Sequence, residues 1–293
     1  MTNNFYSGKV RDMYRFDDKV IMVTSNRISA FDVILGEIPG KGAILNDLTE
    51  YFLNKTKDIA PNWFESRPHP NVIIGKYCKP IMVEMIIRGY LVGHAWREYR
   101  DGKRELCGVP LPDGMKEGDK FLEPIITPTT KAVDKHDEDI TPDQIFRSCL
   151  CTIGEYRVME KYTRALFQRG TELAEEKGLT LLDTKFEFGI DMSPYKETPE
   201  SPPHTGRVMV IDEILTPDSS RYLQGDKPLS KEFVRDWLRD QGFTGQGFFA
   251  WKEDDPESGT KSLPKMPTEF VQEVADKYRE LACIVTGTLK KSS

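Results

Sequence analysis

No stretch of this 293-residue sequence is apolar for long enough to cross a bilayer. Cysteine is scarce. Cys78, Cys107, Cys149, Cys151 and Cys283 are odd in number and none forms C-x-x-C, so neither a disulfide framework nor a zinc site is indicated. An excess of one charge is missing too: 41 Lys and Arg and 47 Asp and Glu are mixed along the chain, leaving a net charge of -6. That argues against a nucleic-acid face or a polybasic membrane patch. The start, MTNNFYSGKV, lacks the apolar core of a signal peptide, and a cytoplasmic protein is expected. There is no G-x-x-x-x-G-K-[ST], and GEIPGKGA misses it with the lysine misplaced, which argues against a P-loop enzyme. H-R-D and D-F-G are absent as well, against a kinase-like phosphotransferase.

What is present reads as a mixed α+β protein of one large or two modest domains. Short apolar runs broken by turn residues, such as KVIMVTS and NVIIGKYC, predict strands in the first third. A new apolar run, IMVEMIIRGYLVG, begins near Pro80. The Pro- and Gly-rich segment GVPLPDGMKEGDKFLEPIITPTTKA predicts irregular structure. Thr141 followed by Pro142 predicts a helix start, and Gly178 a helix stop. LTLLDTKFEFGI and RVMVIDEIL read as an antiparallel strand pair, and KEFVRDWLRDQG and TEFVQEVADKYRELACIVTG as closing helices.

Several motifs can carry chemistry. In YSGKVRDMY, Gly8 lets backbone approach a phosphate while Lys9 and Arg11 neutralise it; an exposed basic strand is the plainer reading. Asp32 in SAFDVIL suits a turn cap. Arg88 follows an apolar run and suits a carboxylate, a phosphate or a structural ion pair, with His94 six residues on. Lys131, His136 and Asp137 read as a solvated charge run. In LLDTKFEFGID, Asp183, Lys185 and Glu187 share one strand face and Phe186 and Phe188 the other. Asp212 and Glu213 end the next strand. Glu187 and Asp212, one from each strand, suit a Mg2+, with Lys185 reaching a phosphate. That favours a charged cleft floor over a solvent-facing edge strand.

The motifs GKVRDMY, NRISAFDVIL, IIRGYLVGHAW, PTTKAVDKHDE, LLDTKFEFG and DEILTPDSSRY, from Gly8 to Tyr222, resemble in order those of the SAICAR synthetase family. The resemblance implies a two-lobed α+β fold with nucleotide in the cleft between lobes, here residues 1–79 as a β-rich lobe and 80–293 as a larger one. It also implies ATP-driven ligation of the carboxylate of CAIR, an imidazole ribonucleotide, to the amine of L-aspartate in purine biosynthesis. Both an acyl phosphate and a concerted attack stay open as routes. By resemblance, Lys9, Val10, Arg11 and Lys185 line the ATP phosphates, Met82 and Glu84 lie by the adenine, and Glu187 and Asp212 hold Mg2+. Arg88, Asp218, Ser220 and Arg221 contact CAIR, and Asp32, Lys131, Asp137 and Asp183 complete the catalytic and aspartate site. The family usually has serine at position 94, so His94 is a departure that leaves its contact with substrate open. A non-catalytic nucleotide-binding module is the rival reading, and monomer and homodimer both stay open.

Overall fold

The computed structural model describes residues 4–31, 33–131, 137–192, 206–243 and 264–288. Strands form where short apolar runs alternate with turns: β1 (Phe5–Ser7), β2 (Arg11–Phe16), β3 (Lys19–Thr24), and the hairpin β4 (Arg27–Ala30) and β5 (Val33–Glu37). Helix α1 (Lys41–Lys55) follows, then β6 (Phe64–His69) and β7 (Val72–Lys76). They make a five-stranded antiparallel sheet in the order β1-β2-β3-β7-β6, with β4 and β5 paired separately.

The second sheet begins with β8 (Lys79–Tyr90), which leads into α2 (Gly93–Arg100). Next come β9 (Glu105–Leu106), β10 (Val109–Pro110), β11 (Lys120–Ile126) and β12 (Thr129–Thr130). The segment expected to be irregular therefore contains strands. Its composition hides them because β11 is an edge strand: Pro124 falls inside a register shift between Lys120 and Ile125, where no ladder bond is required of it. Helices α3 (Pro142–Arg147) and α4 (Ile153–Glu175) each start at a capping box, Thr141 with Gln144 and Thr152 with Glu155. Gly178, with φ 71°, accommodates the turn after α4.

Then come β13 (Thr180–Asp191), β14 (Arg207–Ile211), β15 (Ser220–Gln224) and β16 (Lys227–Pro228), and the closing helices α5 (Glu232–Asp240) and α6 (Thr268–Thr286). β13 is the spine, flanked by β8, β14 and β15, all antiparallel to it. The expected antiparallel pair is β13 and β14, with Glu187 opposite Ile211. One face of β13 carries Phe186 and Phe188, both fully buried on the α4 side. Each contributes about 2–3 kcal/mol by burial, which pins the register and turns the charged residues of β13 to the other face. One large core spans both sheets, with a smaller cluster around α2 and β11 and another where Leu238 of α5 meets Ala30 and Phe243.

Candidate functional site

The charged face of β13 meets the even-numbered residues of β8: Arg88 stands opposite Asp183 and Glu84 opposite Glu187. Met82 continues the same face of β8. Two carboxylates directly opposed repel. Lys185 lies between them, its Nζ 2.5 Å from Glu84 and 3.2 Å from Glu187. Lys131 pairs with the other oxygen of Glu187. Burial opposes the charge on Lys185, but Glu84 and Glu187 outweigh it and hold the ammonium well above its usual range. Burial likewise opposes charge on Glu187, yet Lys185 and Lys131 draw its carboxyl down to about 2. Glu84 moves the other way, because burial, with Glu187 and Asp137 nearby, outweighs the pull of Lys185.

Opposite this floor, Arg11 at the start of β2 lies 3.5 Å from Asp212 and 2.5 Å from Glu213. Asp212 follows β14 in a left-handed conformation, φ 60°, which costs a non-glycine residue on the order of 1 kcal/mol. Its carbonyl accepts a 2.9 Å hydrogen bond from the Nε1 of the buried Trp63, which fixes that turn. The Oδ1 atom of Asp212 is buried and receives no hydrogen bond. Burial lifts this carboxyl, and Glu187 and Glu213 add to the lift against Arg11. Among the described residues Oδ1 has only the Arg11 Nε, at 3.5 Å, and with the Glu187 carboxylate, here paired with Lys131 and Lys185, it offers the oxygen chemistry that a hard divalent cation such as Mg2+ takes. Lys9 is exposed and Val10 half-buried in the turn between β1 and β2. Arg27 holds that turn through the carbonyls of Gly8 and Lys9, at 3.1 and 3.0 Å, and Ser25 N–H holds that of Val10 at 2.9 Å.

Two residues back along β13, about 7 Å away, the charge character reverses. Asp183 accepts from Arg88 at 3.3 Å and from Arg221 at 2.6 Å. Arg88 is 3% exposed and also donates to Thr127 at 2.8 Å. Arg221 is clamped from the other side by Glu232 at 2.8 Å. His94 bonds Asp139 at 2.8 Å through Nε2 and remains partly exposed.

The structure thus brings together Arg11, Glu84, Lys131, Lys185, Glu187 and Asp212, with Asp137 near enough to Glu84 to act on its charge. It joins Arg88, Asp183 and Arg221 beside them. Asp32 lies outside the described residues. Asp218 and Ser220 have internal partners: Asp218 bonds Lys41 at 2.7 Å and Tyr278 at 2.5 Å with its side chain 2% exposed, and Ser220 donates to Thr184 at 2.8 Å. Sequence reasoning missed Thr127, Asp139 and Glu232 as partners of the expected site residues. Only Glu232 left a signal: it opens a stripe with Arg235, Asp236 and Arg239 on one face of α5.

A carboxylate–lysine cluster adjoins an arginine–carboxylate cluster on the same sheet, a charge arrangement of the kind found in enzymes that take two anionic ligands side by side. The family model for SAICAR synthetase matches residues 4–247, and the chain belongs to that family. It is 48% identical over 297 residues to the phosphoribosylaminoimidazole-succinocarboxamide synthase of Bacteroides thetaiotaomicron, covering 96% of this chain and 87% of that protein. The enzyme of the same name from Cytophaga hutchinsonii is also 48% identical, over 97% and 87%. Among solved structures, SAICAR synthase from Saccharomyces cerevisiae complexed with SAICAR is similar, with TM-score 0.77, 30% identity and coverage of 99% and 98%. A SAICAR synthetase in complex with ADP shares the fold at TM-score 0.71 and 19% identity, over 98% and 99%.

Proposed function

We propose that this protein joins the carboxylate of CAIR to the amine of L-aspartate, converting ATP to ADP and phosphate and releasing SAICAR. The observation that carries the reading is the placement of two differently charged groups on adjacent positions of one strand face: Lys185 between Glu84 and Glu187, and Asp183 between Arg88 and Arg221. Family membership supports it independently.

A carboxylate is a poor electrophile, so ligation needs a phosphoryl donor within a few ångströms of the acceptor carboxylate. Lys185, Lys9, Val10 and Arg11 bind the ATP phosphates in the cleft between residues 1–79 and 80–293. Met82 lies toward the adenine, while Glu84 is turned to Lys185. Glu187 and Asp212 hold Mg2+, which when bound supplies charge neutralisation at the phosphates. Arg88 and Arg221 orient the anionic groups of CAIR through planar, forked donors whose direction Asp183 fixes. Lys131 and Asp137 complete the site toward L-aspartate. We further propose a cytoplasmic location, where ATP and L-aspartate are both at hand.

The test is ADP release measured with ATP, Mg2+, CAIR and aspartate, and again with each omitted. Turnover that needs all four supports the reading. ADP release that continues without CAIR or aspartate refutes it.

A further inference from the structure

Beside the arginine cluster three further side chains converge. His94 and Glu98 are one helical turn apart on α2 and so share one of its faces. Asp139 meets them from the segment after β12, where a bridge to Thr129 and the 3.0 Å bond from Ile140 N–H to the Pro128 carbonyl hold its backbone. His94 Nε2 lies 2.8 Å from Asp139 Oδ2, and one ligating atom from each of the three side chains lies within 4.8 Å of the other two. Around a tetrahedral Zn2+, ligand atoms about 2.1 Å from the ion stand roughly 3.4 Å apart. The cluster reaches that spacing when His94 and Asp139 separate by roughly 0.6 Å and Glu98 closes by at most about 1.4 Å. All three side chains are partly exposed and able to shift by that much.

The surrounding charges leave room for a cation. Burial opposes charge on Asp139, yet His94, Arg88 and Lys103 hold its carboxyl below the usual range. Of the two permanent cations, Arg88 is committed to Asp183 and Thr127. Lys103 pairs with Glu98, but its side chain is 61% exposed, and a surface pair of this kind is weak. The imidazole decides which ion fits: Mg2+ prefers oxygen ligands and water, whereas one ring nitrogen with two carboxylates suits Zn2+ or Co2+. We infer that His94, Glu98 and Asp139 form a metal site, separate from Glu187 and Asp212, for a divalent ion of the later first transition row, Zn2+ in particular, with a position left for water. The ion ties α2, which continues from β8, to the segment after β12, which pairs with β8. The family's usual serine at position 94 lacks the imidazole, so the site is a feature of chains that carry histidine there. It does not depend on the proposed reaction.

The experiment uses the full chain freed of metal with a chelator. Calorimetric titration with Zn2+ shows one site of micromolar or tighter affinity, which millimolar Mg2+ does not displace. Co2+ in its place gives visible absorption without thiolate charge transfer, which separates this site from the cysteines. His94→Ser and Glu98→Gln each weaken Zn2+ binding at least about tenfold, the loss expected when a ligand or its support is removed. Lys103→Met removes the competing ammonium and tightens binding, a result that poor folding cannot imitate. Absence of Zn2+ binding in the micromolar range, displacement by Mg2+, or a thiolate band with Co2+ overturns the site. So does an affinity that either ligand variant leaves unchanged, or failure of Lys103→Met to tighten it.

Discussion

Replacing Lys185 with methionine removes the one ammonium that lies between Glu84 and Glu187. The carboxylates are then directly opposed on neighbouring strands, with side chains 8% and 6% exposed. Breaking a buried pair by deleting one partner costs about 3–5 kcal/mol. Two features reduce the figure here. The Lys185 side chain is 32% exposed, and Lys131 still neutralises one oxygen of Glu187. The expected loss at pH 8 is roughly 2 kcal/mol, readable by urea denaturation.

The loss depends on pH with a definite sign. Burial already raises the Glu84 carboxyl in the folded wild type, and without Lys185 it rises further. A carboxyl raised on folding binds more protons folded than unfolded, so stability falls as pH rises between the unfolded and folded values. The deficit of Lys185→Met should therefore be smallest near pH 5 and grow toward pH 8, by up to about 1.4 kcal/mol per pH unit where one proton is involved. ADP release should fall at least about a hundredfold across the same range if Lys185 contacts the ATP phosphates as proposed. A deficit that is constant with pH would refute the claim that Lys185 separates two carboxylates.

Glu187→Gln and Asp212→Asn should keep the fold and lower ligation at ordinary Mg2+ by about a hundredfold or more, with partial recovery at high Mg2+; near-normal turnover in both removes the metal assignment. Glu187, held down to about 2, contributes stability that is complete above the usual glutamate range and lost as pH falls from there toward 2, so Glu187→Gln should flatten acid unfolding in that window. Arg88→Lys and Arg221→Lys should raise KM for CAIR well beyond KM for ATP, whereas equal effects would make both arginines structural. Asp218→Asn should act on stability rather than on KM: its amide oxygen can still accept from Tyr278, but the fully buried Lys41 loses its counter-charge, for a loss of about 3 kcal/mol in urea. A raised KM for CAIR at wild-type stability would instead return Asp218 to the substrate.

Which parts of the site were legible in the sequence follows from how local each constraint is. The alternation in LLDTKFEFGID assigns Asp183, Lys185 and Glu187 to one face before any neighbour is known, and β13 obeys it because Phe186 and Phe188 allow one register. Capping boxes and the apolar stripe of α6 are equally local. Pairings between distant segments are not. Nothing in IMVEMIIRGY says that Glu84 faces Glu187 rather than an adenine, because that depends on how β8 registers against a strand a hundred residues later. β11 was hidden because edge strands tolerate the Pro and polar residues that central strands exclude.

Helix α5 shows the same limit most sharply. Its apolar face buries Val234 and Leu238, which suffices to predict a closing helix. Its other face, Glu232, Arg235, Asp236 and Arg239, has the spacing of a solvated helix laced with i,i+3 pairs. Two of those pairs do form. The function of the stripe appears only when Glu232 also takes Arg221, a residue of β15 that Asp183 of β13 holds from the other side. One carboxylate then orders guanidiniums from a strand and a helix at once. Burial opposes its charge, yet Arg221 and Arg235 hold it far below the usual glutamate range, which keeps it ionised wherever the enzyme works. A stripe that reads as solvated surface is, in three dimensions, the frame of an arginine–carboxylate cluster that reaches into the central sheet.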